Sequence, residues 1–343
     1  MQPKACILHA FVALSLLSDC KFLRKDPGRV LVRASSDELE AHAIDGKTES
    51  VFVGARDALA YGGGAGALVL DQVGTMSRVE PKRSGVIECR VGAKATLFAT
   101  DDAGHHVLFK SDDETLHFMD VTTCAETKLE VRYAYRGDVA RDGSEAAVGA
   151  FPKTCTGRLD ACPVTLYRLR LPGSPVPTEV LRGGTRAHYQ PRYFPDGKLV
   201  FQTTERDASC DGTVDACRHD IVSVPIASGP GEIPTLVREG AIAAGVSRDG
   251  KRIAYLAYFG DPDCHKKLPC KSMTLKIGDW RSSDDSKDVA IAAGTVSNVP
   301  GHPFSLDDRY VAFATGASYE PQTCEVDGTH CKTYAGHMVG WMK

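Results

Sequence analysis

Cysteine is the residue type whose number and spacing carry the most chemical information in this chain. Of the 12 cysteines among 343 residues, eight form close pairs with five or six residues between the two members. The pairs are Cys155/Cys162, Cys210/Cys217, Cys264/Cys270 and Cys324/Cys331. Zinc knuckles place their cysteines roughly two to four residues apart, so this spacing favours disulfides. Disulfides require an oxidising compartment, which predicts an exported protein.

The first 20 residues predict an export signal independently of the cysteines. Lys4 precedes the apolar stretch 5–17 (ACILHAFVALSLL), which is too short to span a membrane. The stretch ends at Leu17-Ser18-Asp19-Cys20, which resembles the lipobox of bacterial lipoproteins, whose cysteine receives a diacylglycerol. Asp19 stands where lipoboxes have a small residue, so a lipid on Cys20, an unlipidated exported form and a buried N-terminal helix remain alternatives. We expect a location in the periplasm or at the outer membrane or cell surface.

Two stretches resemble ligand sites but are better explained as turns. Residues 62–67 (GGGAGA) have the spacing of a dinucleotide-binding turn, yet that motif needs a following helix, and the next residues alternate as in a strand. Asp211, Asp215 and Asp327 lie in stretches that resemble fragments of a calcium loop, without its full spacing or its late glutamate. No cofactor is therefore expected.

No local motif predicts a metal centre or a hydrolase. His105, His106 and His117 lack the spacing of a zinc site, and a G-x-S-x-G nucleophile turn is absent from the sequence. Acidic residues are frequent at turns, but no pair can be nominated for glycosidase chemistry without geometry. An active site assembled inside a central channel would leave no such motif.

A repeated turn and strand must position all of these residues. The repeat is clearest at 247–258 (SRDGKRIAYLAY), where Asp249-Gly250 predicts a tight turn before an alternating strand. Copies occur at 140–151 (ARDGSEAAVGAF), 194–204 (FPDGKLVFQTT) and 305–316 (SLDDRYVAFATG), with a weaker one at 100–110. The turns recur about every 50 residues over much of the chain.

Each repeat predicts four short antiparallel strands. In the clearest unit these are residues 188–194, 198–204, 220–226 and 234–238, and equivalent third strands are predicted at 116–121, 166–171, 275–280 and 337–342. Four strands at such a period are typical of a β-propeller blade. We predict an all-β propeller with six or seven four-stranded blades, seven being favoured, in a single domain over 21–343. The last blade would lack its fourth strand, which residues 21–25 would supply.

The close cysteine pairs all fall in the predicted loops between second and third strands. We therefore expect disulfide-stapled hairpin loops, with a structural role. Cys89 and Cys124 are expected, by elimination, to bridge neighbouring blades. The functional alternative is that the stapled loops form a recognition surface on one rim, with Asp211, Asp215 and Asp327 as candidate contact residues.

The overall composition limits the classes of partner. The net charge is −3, with 43% hydrophobic and 25% charged residues, which is typical of a folded globular protein. Positive and negative residues are interspersed, so no nucleic-acid-binding surface is predicted. No segment after the leader is long and apolar enough to be a transmembrane helix. We expect a monomer.

The repeat FPDGKLVFQTT, SRDGKRIAYLAY and SLDDRYVAFATG, with following strands such as DIVSVPIASG, resembles the blade of the TolB-type, WD-repeat-like propeller family. The resemblance covers roughly residues 93–343. It implies a propeller with the D-G turn at a blade corner, and a role in protein–protein interaction in the cell envelope. No functional residue is transferred, because the matching positions are turn and core positions. The stapled loops are not part of the family pattern, and residues 21–92 lack the N-terminal α/β domain of TolB.

Two functions follow as expectations, and a purely structural envelope protein with no small-molecule site is a third possibility. The first is an exported module that binds a protein or glycan of the bacterial envelope, anchored to the membrane through a lipid only if Cys20 is modified. The second is a propeller enzyme, a lyase or a glycan hydrolase, with its active site at the central channel. An enzyme should gather acidic, histidine or arginine side chains at one channel mouth, whereas a binding module should expose an aromatic or mixed patch on the rim.

Overall fold

A computed structural model describes most of the chain beyond the predicted leader, in the ranges 26–34, 37–61, 63–80, 88–152, 154, 163–170, 176–184, 186–205, 219–257, 273–292, 296–316 and 318–343. The long regular elements in these ranges are all β-strands. Among the same residues there is no helix with the length and hydrophobicity needed to cross a membrane. The predicted signal peptide and Cys20 lie outside the described residues.

The strands form consecutive antiparallel groups, numbered here from 1 to 7 along the chain. Group 1 has β1 (Arg29–Arg33), β2 (Glu38–Ala43) and β3 (Thr48–Val53). Group 2 has β4 (Ala55–Ala60), β5 (Ala67–Asp71), β6 (Thr75–Val79) and β7 (Glu88–Arg90). Group 3 has β8 (Thr96–Thr100), β9 (His106–Lys110), β10 (Thr115–Asp120) and β11 (Ala125–Arg132). Group 4 has β12 (Gly137–Val139), β13 (Glu145–Pro152), β14 (Thr165–Arg170) and β15 (Thr178–Leu181).

Group 5 has β16 (Arg186–Phe194), β17 (Lys198–Glu205), β18 (His219–Pro225) and β19 (Thr235–Arg238). Group 6 has β20 (Ala241–Val246), β21 (Arg252–Ala257), β22 (Thr274–Asp279) and β23 (Val289–Ala292). Group 7 has β24 (Val296–Asn298), β25 (Tyr310–Thr315), β26 (Glu320–Glu325) and β27 (Lys332–Thr333). The last strand, β28 (His337–Met342), returns to group 1.

Within each group, neighbouring strands pair antiparallel in chain order, and a short contact between β11 and β13 joins groups 3 and 4 into one hydrogen-bonded sheet. The strands are buried on both faces near their centres; β25, for example, is buried at every residue from Tyr310 to Ala314. Such burial arises because apolar side chains on both faces of a sheet meet those of the sheets on either side.

The hydrophobic core is divided among the spaces between adjacent groups. One cluster lies between groups 2 and 3, another between groups 3 and 4, and so on around the molecule. The last cluster joins Tyr310 and Ala312 of group 7 to Val30, Val32 and Trp341 of group 1. The packing therefore closes a ring. The all-β propeller predicted from the repeat is confirmed.

The predicted turns join the first and second strands of their groups. Gly250 has a φ of +67°, in the left-handed region that glycine adopts without strain. Ser247 organises this turn, because its hydroxyl accepts hydrogen bonds from the backbone N–H groups of Lys251 and Arg252 and donates one to Asp249. Asp308 occupies the glycine position in group 7, with a φ of +59°.

The clearest predicted unit agrees with the structure to within two residues at every strand boundary, as β16, β17, β18 and β19 show. The GGGAGA stretch joins β4 to β5, and a strand follows it where a dinucleotide site would need a helix. It is a hairpin turn, as predicted.

The ring closes differently from the prediction. His337–Met342 is not a third strand: β28 pairs with β1 and is the first strand of group 1, so the order there is β28-β1-β2-β3. Group 7 is complete without it, because β26 and β27 supply its third and fourth strands. The sequence EPQTCE of β26 contains Pro321 and mostly polar residues, so it has little of the pattern that predicts a strand. Residues 21–25, predicted to close the ring, lie outside the described residues.

Two disulfides lie within the described residues, Cys89–Cys124 and Cys324–Cys331. The first joins β7 of group 2 to the turn after β10 of group 3. The second closes the hairpin between β26 and β27, so the prediction that this pair lies between second and third strands is wrong. Cys155, Cys162, Cys210, Cys217, Cys264 and Cys270 lie outside the described residues, in segments that do connect second and third strands.

Candidate functional site

The first strands of the groups face a central cavity of about 280 Å³, called the channel below. Residues of groups 1, 2, 3, 4, 5 and 7 line it. At one end the lining includes exposed Thr96 and Arg136, and at the other it includes buried Thr100 and Arg192. The channel lining is therefore exposed at the end where the first strands begin, called the open end, and includes buried residues toward the turns where they finish, called the inner end.

Irregular pairing shapes this lining. In the described residues, six of the seven first strands shift register against the second strand of their group, as Leu97 and Ala99 of β8 do around Phe98. An extra residue in one strand re-aims the side chains beside it, and such bulges are frequent next to functional sites. In β16 the irregularity covers Gln190 and Pro191, and Gln190 has a φ of +50°. This local distortion directly precedes Arg192.

Arg192 is a buried cation with an incomplete set of partners. Its side chain is 5% exposed. Nη1 donates to the carbonyl oxygens of Gly137 at 3.1 Å and Pro191 at 3.3 Å. Nε is buried and has no hydrogen-bond partner among the described residues, and Nη2 makes no hydrogen bond among them either. Gly301 leaves room for the guanidinium, since a Cβ at that position would lie 3.2 Å from Cζ of Arg192.

Two carboxylates in the channel wall are occupied by backbone groups. Asp138 of β12 accepts a hydrogen bond from the N–H of Tyr193 at 2.8 Å, and Asp57 of β4 accepts one from the N–H of Leu97 at 2.9 Å. Each bond joins the first strand of one group to the first strand of the next. Burial raises the pKa of Asp138 to about 6, against the opposing attraction of Arg192, and burial also raises the pKa of Asp57.

His302 contributes a neutral imidazole to the channel wall. Burial lowers its pKa to about 3, and the nearby guanidinium groups of Arg192, Arg248 and Arg141 add to that effect. The histidine is therefore uncharged at neutral pH.

The turns of groups 4, 6 and 7 cover the inner end of the channel. Nη1 of Arg141 donates to the carbonyl oxygen of Arg248 at 3.0 Å, reaching from group 4 to group 6. The Asp308 carboxylate accepts hydrogen bonds from the N–H groups of Arg248 at 2.8 Å and Asp249 at 3.0 Å. Asp102, whose pKa burial raises, lies near both arginines. These contacts link three turns directly.

Of the candidate contact residues predicted from the sequence, Asp327 lies within the described residues. Asp327 lies in the β26–β27 hairpin, where its carboxylate accepts hydrogen bonds from the N–H and hydroxyl of Thr329 at 2.9 Å and 2.6 Å. These bonds hold the pKa of Asp327 below its usual value and are ordinary turn chemistry. The backbone N–H of Val326 donates a hydrogen bond to the carbonyl oxygen of Arg309, which directly follows Asp308. This hairpin therefore lies on the side of the ring where the inner end of the channel is.

Asp211 and Asp215 lie outside the described residues. The strands that lead into and out of their segment are described, and Thr204 near the end of β17 pairs with Ala187 near the start of β16. The chain therefore leaves group 5 at the open end of the channel, opposite to Asp327. Because Asp211 and Asp215 lie outside the described residues, a recognition surface that they share with Asp327 stays a prediction.

The histidines of group 3 have local partners. Nδ1 of His106 lies 3.0 Å from Asp101, and the ring stacks on Phe118. His117 contacts Glu126 and Ser111 and stacks on Phe109. Among the described residues there is no cluster of three or more histidine, cysteine, aspartate or glutamate side chains able to hold a metal ion.

Arg192 and His302 were not predicted from the sequence. One signal was available: Gln190-Pro191-Arg192 places a proline and a charge inside a predicted strand, which is typical of a bulge. Arg192 bonds Gly137 of another repeat, and Asp138 bonds Tyr193 of another repeat, so local spacing could not identify the cluster.

No protein-family model matches the sequence, and no curated protein matches it. Solved structures do resemble the fold. A putative TolB from Agrobacterium tumefaciens is 17% identical with a TM-score of 0.50, over 73% of this chain and 83% of that one. TolB from Acinetobacter baumannii is 11% identical with a TM-score of 0.51, over 89% and 77% of the two chains.

An enzyme shares the same architecture. Oligogalacturonate lyase from Vibrio parahaemolyticus is 11% identical with a TM-score of 0.56, over 90% of this chain and 84% of that one. At these identities the likenesses show the fold alone. The structural neighbours thus include TolB β-propellers, as the repeat predicted, together with a propeller enzyme.

Proposed function

We propose that this protein is an exported β-propeller that binds a protein or glycan of the bacterial cell envelope at the open end of its channel. The observation that carries the proposal is Arg192, a buried arginine whose Nε and Nη2 have no hydrogen-bond partner among the described residues, at the inner end of the cavity. Buried polar groups are nearly always satisfied, and one left without a partner in a cavity is a candidate for ligand contact.

The chemistry of the channel favours binding over catalysis. The carboxylates of Asp138 and Asp57 already accept backbone hydrogen bonds that join adjacent strand groups. The low pKa of His302, about 3, makes it a poor base at neutral pH. The channel group that remains available to a ligand is the Arg192 guanidinium, a hydrogen-bond donor with a permanent positive charge.

Export is supported by the apolar leader and by the two disulfides, which form in oxidising compartments. The mass of the mature N-terminus distinguishes the alternatives for the leader. A diacylated Cys20 at the N-terminus, lost in a Cys20→Ser variant, would establish a lipid anchor. An unmodified mature N-terminus would establish release without one.

A photo-reactive amino acid at Thr96 tests the binding proposal, because Thr96 is exposed at the open end of the channel. We expect irradiation of envelope preparations to attach one defined protein or glycan. The matched control carries the same amino acid at exposed Glu232, away from the channel. Attachment at Glu232 but not at Thr96 would contradict the proposal, as would no attachment above background at Thr96.

A second candidate function, a lyase or glycan hydrolase, is favoured by one observation. Arg192, His302 and Asp138 line the same cavity, as expected for an enzyme. Its test is the appearance of new sugar ends from acidic and neutral envelope polysaccharides incubated with the protein. Turnover that Asp138→Asn or His302→Gln abolishes in a folded protein would replace the binding proposal.

A further inference from the structure

The unused donors of Arg192 lie on one edge of its guanidinium. Nη1 is held by the carbonyl oxygens of Gly137 and Pro191, whereas Nε and Nη2 have no hydrogen-bond partner among the described residues. The N–H groups of Nε and Nη2 point in parallel directions, which match the two oxygens of a carboxylate. The edge left free is therefore the one that binds carboxylates in a bidentate manner.

Arg238 has a structural role, and in it the Nε and Nη2 edge of the guanidinium is bonded to a carboxylate of this protein. Its Nε donates to Oδ2 of Asp288 at 2.7 Å, and its Nη2 donates to Oδ1 at 3.1 Å. Its remaining donors bond the carbonyl oxygens of Val237, Asp279 and Ser282. Arg238 is 1% exposed and fully paired, whereas Arg192 is 5% exposed and has no equivalent carboxylate partner in the described part of the chain.

The nearby groups of the channel do not supply that carboxylate. Asp138 attracts Arg192 electrostatically but directs its hydrogen bonds to the backbone of Tyr193 and Val139. His302 and Gly301, which group 7 contributes beside Arg192, carry no negative charge. A buried guanidinium Nε without a partner among the described residues is unfavourable, because its hydration is lost without replacement.

We propose that the inner end of the channel is a carboxylate-binding site, in which Nε and Nη2 of Arg192 hold the two oxygens of a ligand carboxylate. The inference rests on the proposed function of the channel as a binding site and names the chemistry of its ligand. Arg192 is buried at the inner end, where hydrogen bonds link the turns of groups 4, 6 and 7, so a terminal carboxylate fits better than one in the middle of a chain. A small organic acid or the free carboxyl end of a chain has this chemistry.

Calorimetric titration of the full-length protein with small probes tests the site. N-acetylglycine and D-glucuronate supply the carboxylate on an amino-acid and on a sugar framework, and N-acetylglycinamide and D-glucose are their neutral counterparts. We expect at least one acid to bind ten-fold or more tightly than its neutral counterpart. The acid that binds more tightly identifies the source of the carboxylate. Equal binding of both acids and both neutral counterparts, or no binding by any probe, would overturn the proposal.

Three variants locate the binding. Arg192→Lys keeps the positive charge but removes the two-donor edge, and we expect it to weaken carboxylate binding ten-fold or more. Thr96→Trp narrows the open end without touching Arg192, and we expect a similar loss. Arg170→Gln removes an arginine whose side chain is 77% exposed, and we expect no change.

Arg192→Lys and Thr96→Trp are independent tests, because a failure of one variant to fold does not affect the other. If Arg192→Lys does not fold, the Thr96→Trp result decides: unchanged carboxylate affinity there would overturn the proposal. Competition by chloride equal to that by acetate would also overturn it, because a spherical anion gains nothing from a planar two-donor edge. Failure here leaves the Thr96 cross-linking result unaffected, since a neutral partner could still bind at the channel opening.

Discussion

At the scale of single residues, Asp138 and His302 have pKa values displaced in opposite directions by the same channel. Burial raises the pKa of the Asp138 carboxyl to about 6, and burial next to three arginines lowers that of the His302 imidazole to about 3. Both groups are thereby biased toward their neutral forms. Their effects on stability have opposite dependence on pH.

Asp138→Asn should change the pH dependence of folding. Native Asp138 binds its proton more tightly than the unfolded chain does, so its contribution is largest below about pH 4 and is lost as the pH rises through 6. Relative to the wild type, the variant should gain roughly 1–3 kcal/mol of unfolding free energy between pH 4 and pH 7. Urea unfolding at several pH values measures this difference. A constant difference across that range would refute it.

His302→Gln should act in the other direction. The unfolded chain protonates its histidine near pH 6.5, whereas the native protein resists protonation until about pH 3. Wild-type stability therefore includes a contribution from His302 that is present above pH 6.5 and is lost as the pH falls toward 3. Between pH 7 and pH 4 the unfolding free energy of the variant should fall by less than that of the wild type, the difference being roughly 1 kcal/mol or more. The same urea series tests it, and parallel curves for the two proteins would contradict it.

At the scale of elements, the turn of group 7 uses an aspartate where the other turns use glycine. Asp308 adopts the left-handed backbone conformation, which aspartate tolerates better than most residues. Its carboxylate accepts hydrogen bonds from the N–H groups of Arg248 and Asp249 in the neighbouring turn, which stabilises this conformation. Asp308→Ala keeps the backbone strain and removes both bonds, and should lower the unfolding free energy by about 1–3 kcal/mol. Asp308→Asn is the matched control, because asparagine tolerates this backbone and retains one acceptor. Equal loss in the two variants would contradict the argument.

The Arg238–Asp288 pair joins the last strand of group 5 to the turn before β23. Asp288 also accepts a hydrogen bond from the Tyr255 hydroxyl at 2.6 Å, so its removal leaves two buried donors unpaired. Asp288→Ala should cost about 3–5 kcal/mol, because an uncompensated buried guanidinium remains. Asp285→Ala breaks only the half-exposed pair with Lys276 and should cost less than about 1 kcal/mol. Chemical unfolding of both variants distinguishes them, and a small loss for Asp288→Ala would show that water enters this interface.

Strands and turns were predictable where local chemistry specifies them. The Asp249-Gly250 turn and the alternating β21 depend on adjacent residues, so the sequence alone located them. Strand β26 was missed because its pairing with β25 comes from neighbours in space, and its own residues have weak strand preference. The channel site was missed for the same reason, since Gly301 and Arg192 come from different groups and meet only in the folded ring.

At the scale of the whole molecule, the ring depends on one hydrogen-bonded contact between strands from the two ends of the described chain. Deletion of residues 337–343 removes β28, the first strand of group 1, and exposes the edge of β1. We expect loss of cooperative unfolding and association through the exposed edge. Size-exclusion chromatography and thermal denaturation measure both effects. A monomeric deletion variant with wild-type thermal stability would contradict this prediction.

The same pairing has a consequence for the order in which the chain folds. Arg29 pairs with Met342, so the strand that completes group 1 is the last of the described strands to emerge, which for the exported protein proposed above means emerging from the export machinery. Groups 2 to 7 can form their sheets as they emerge, whereas β1 must wait with an unsatisfied edge. Loop-closure entropy rises only slowly with the length of the intervening chain, so the thermodynamic cost of this long-range contact is modest. The long-range contact mainly lowers the folding rate, so the final folding step of this protein should be slow.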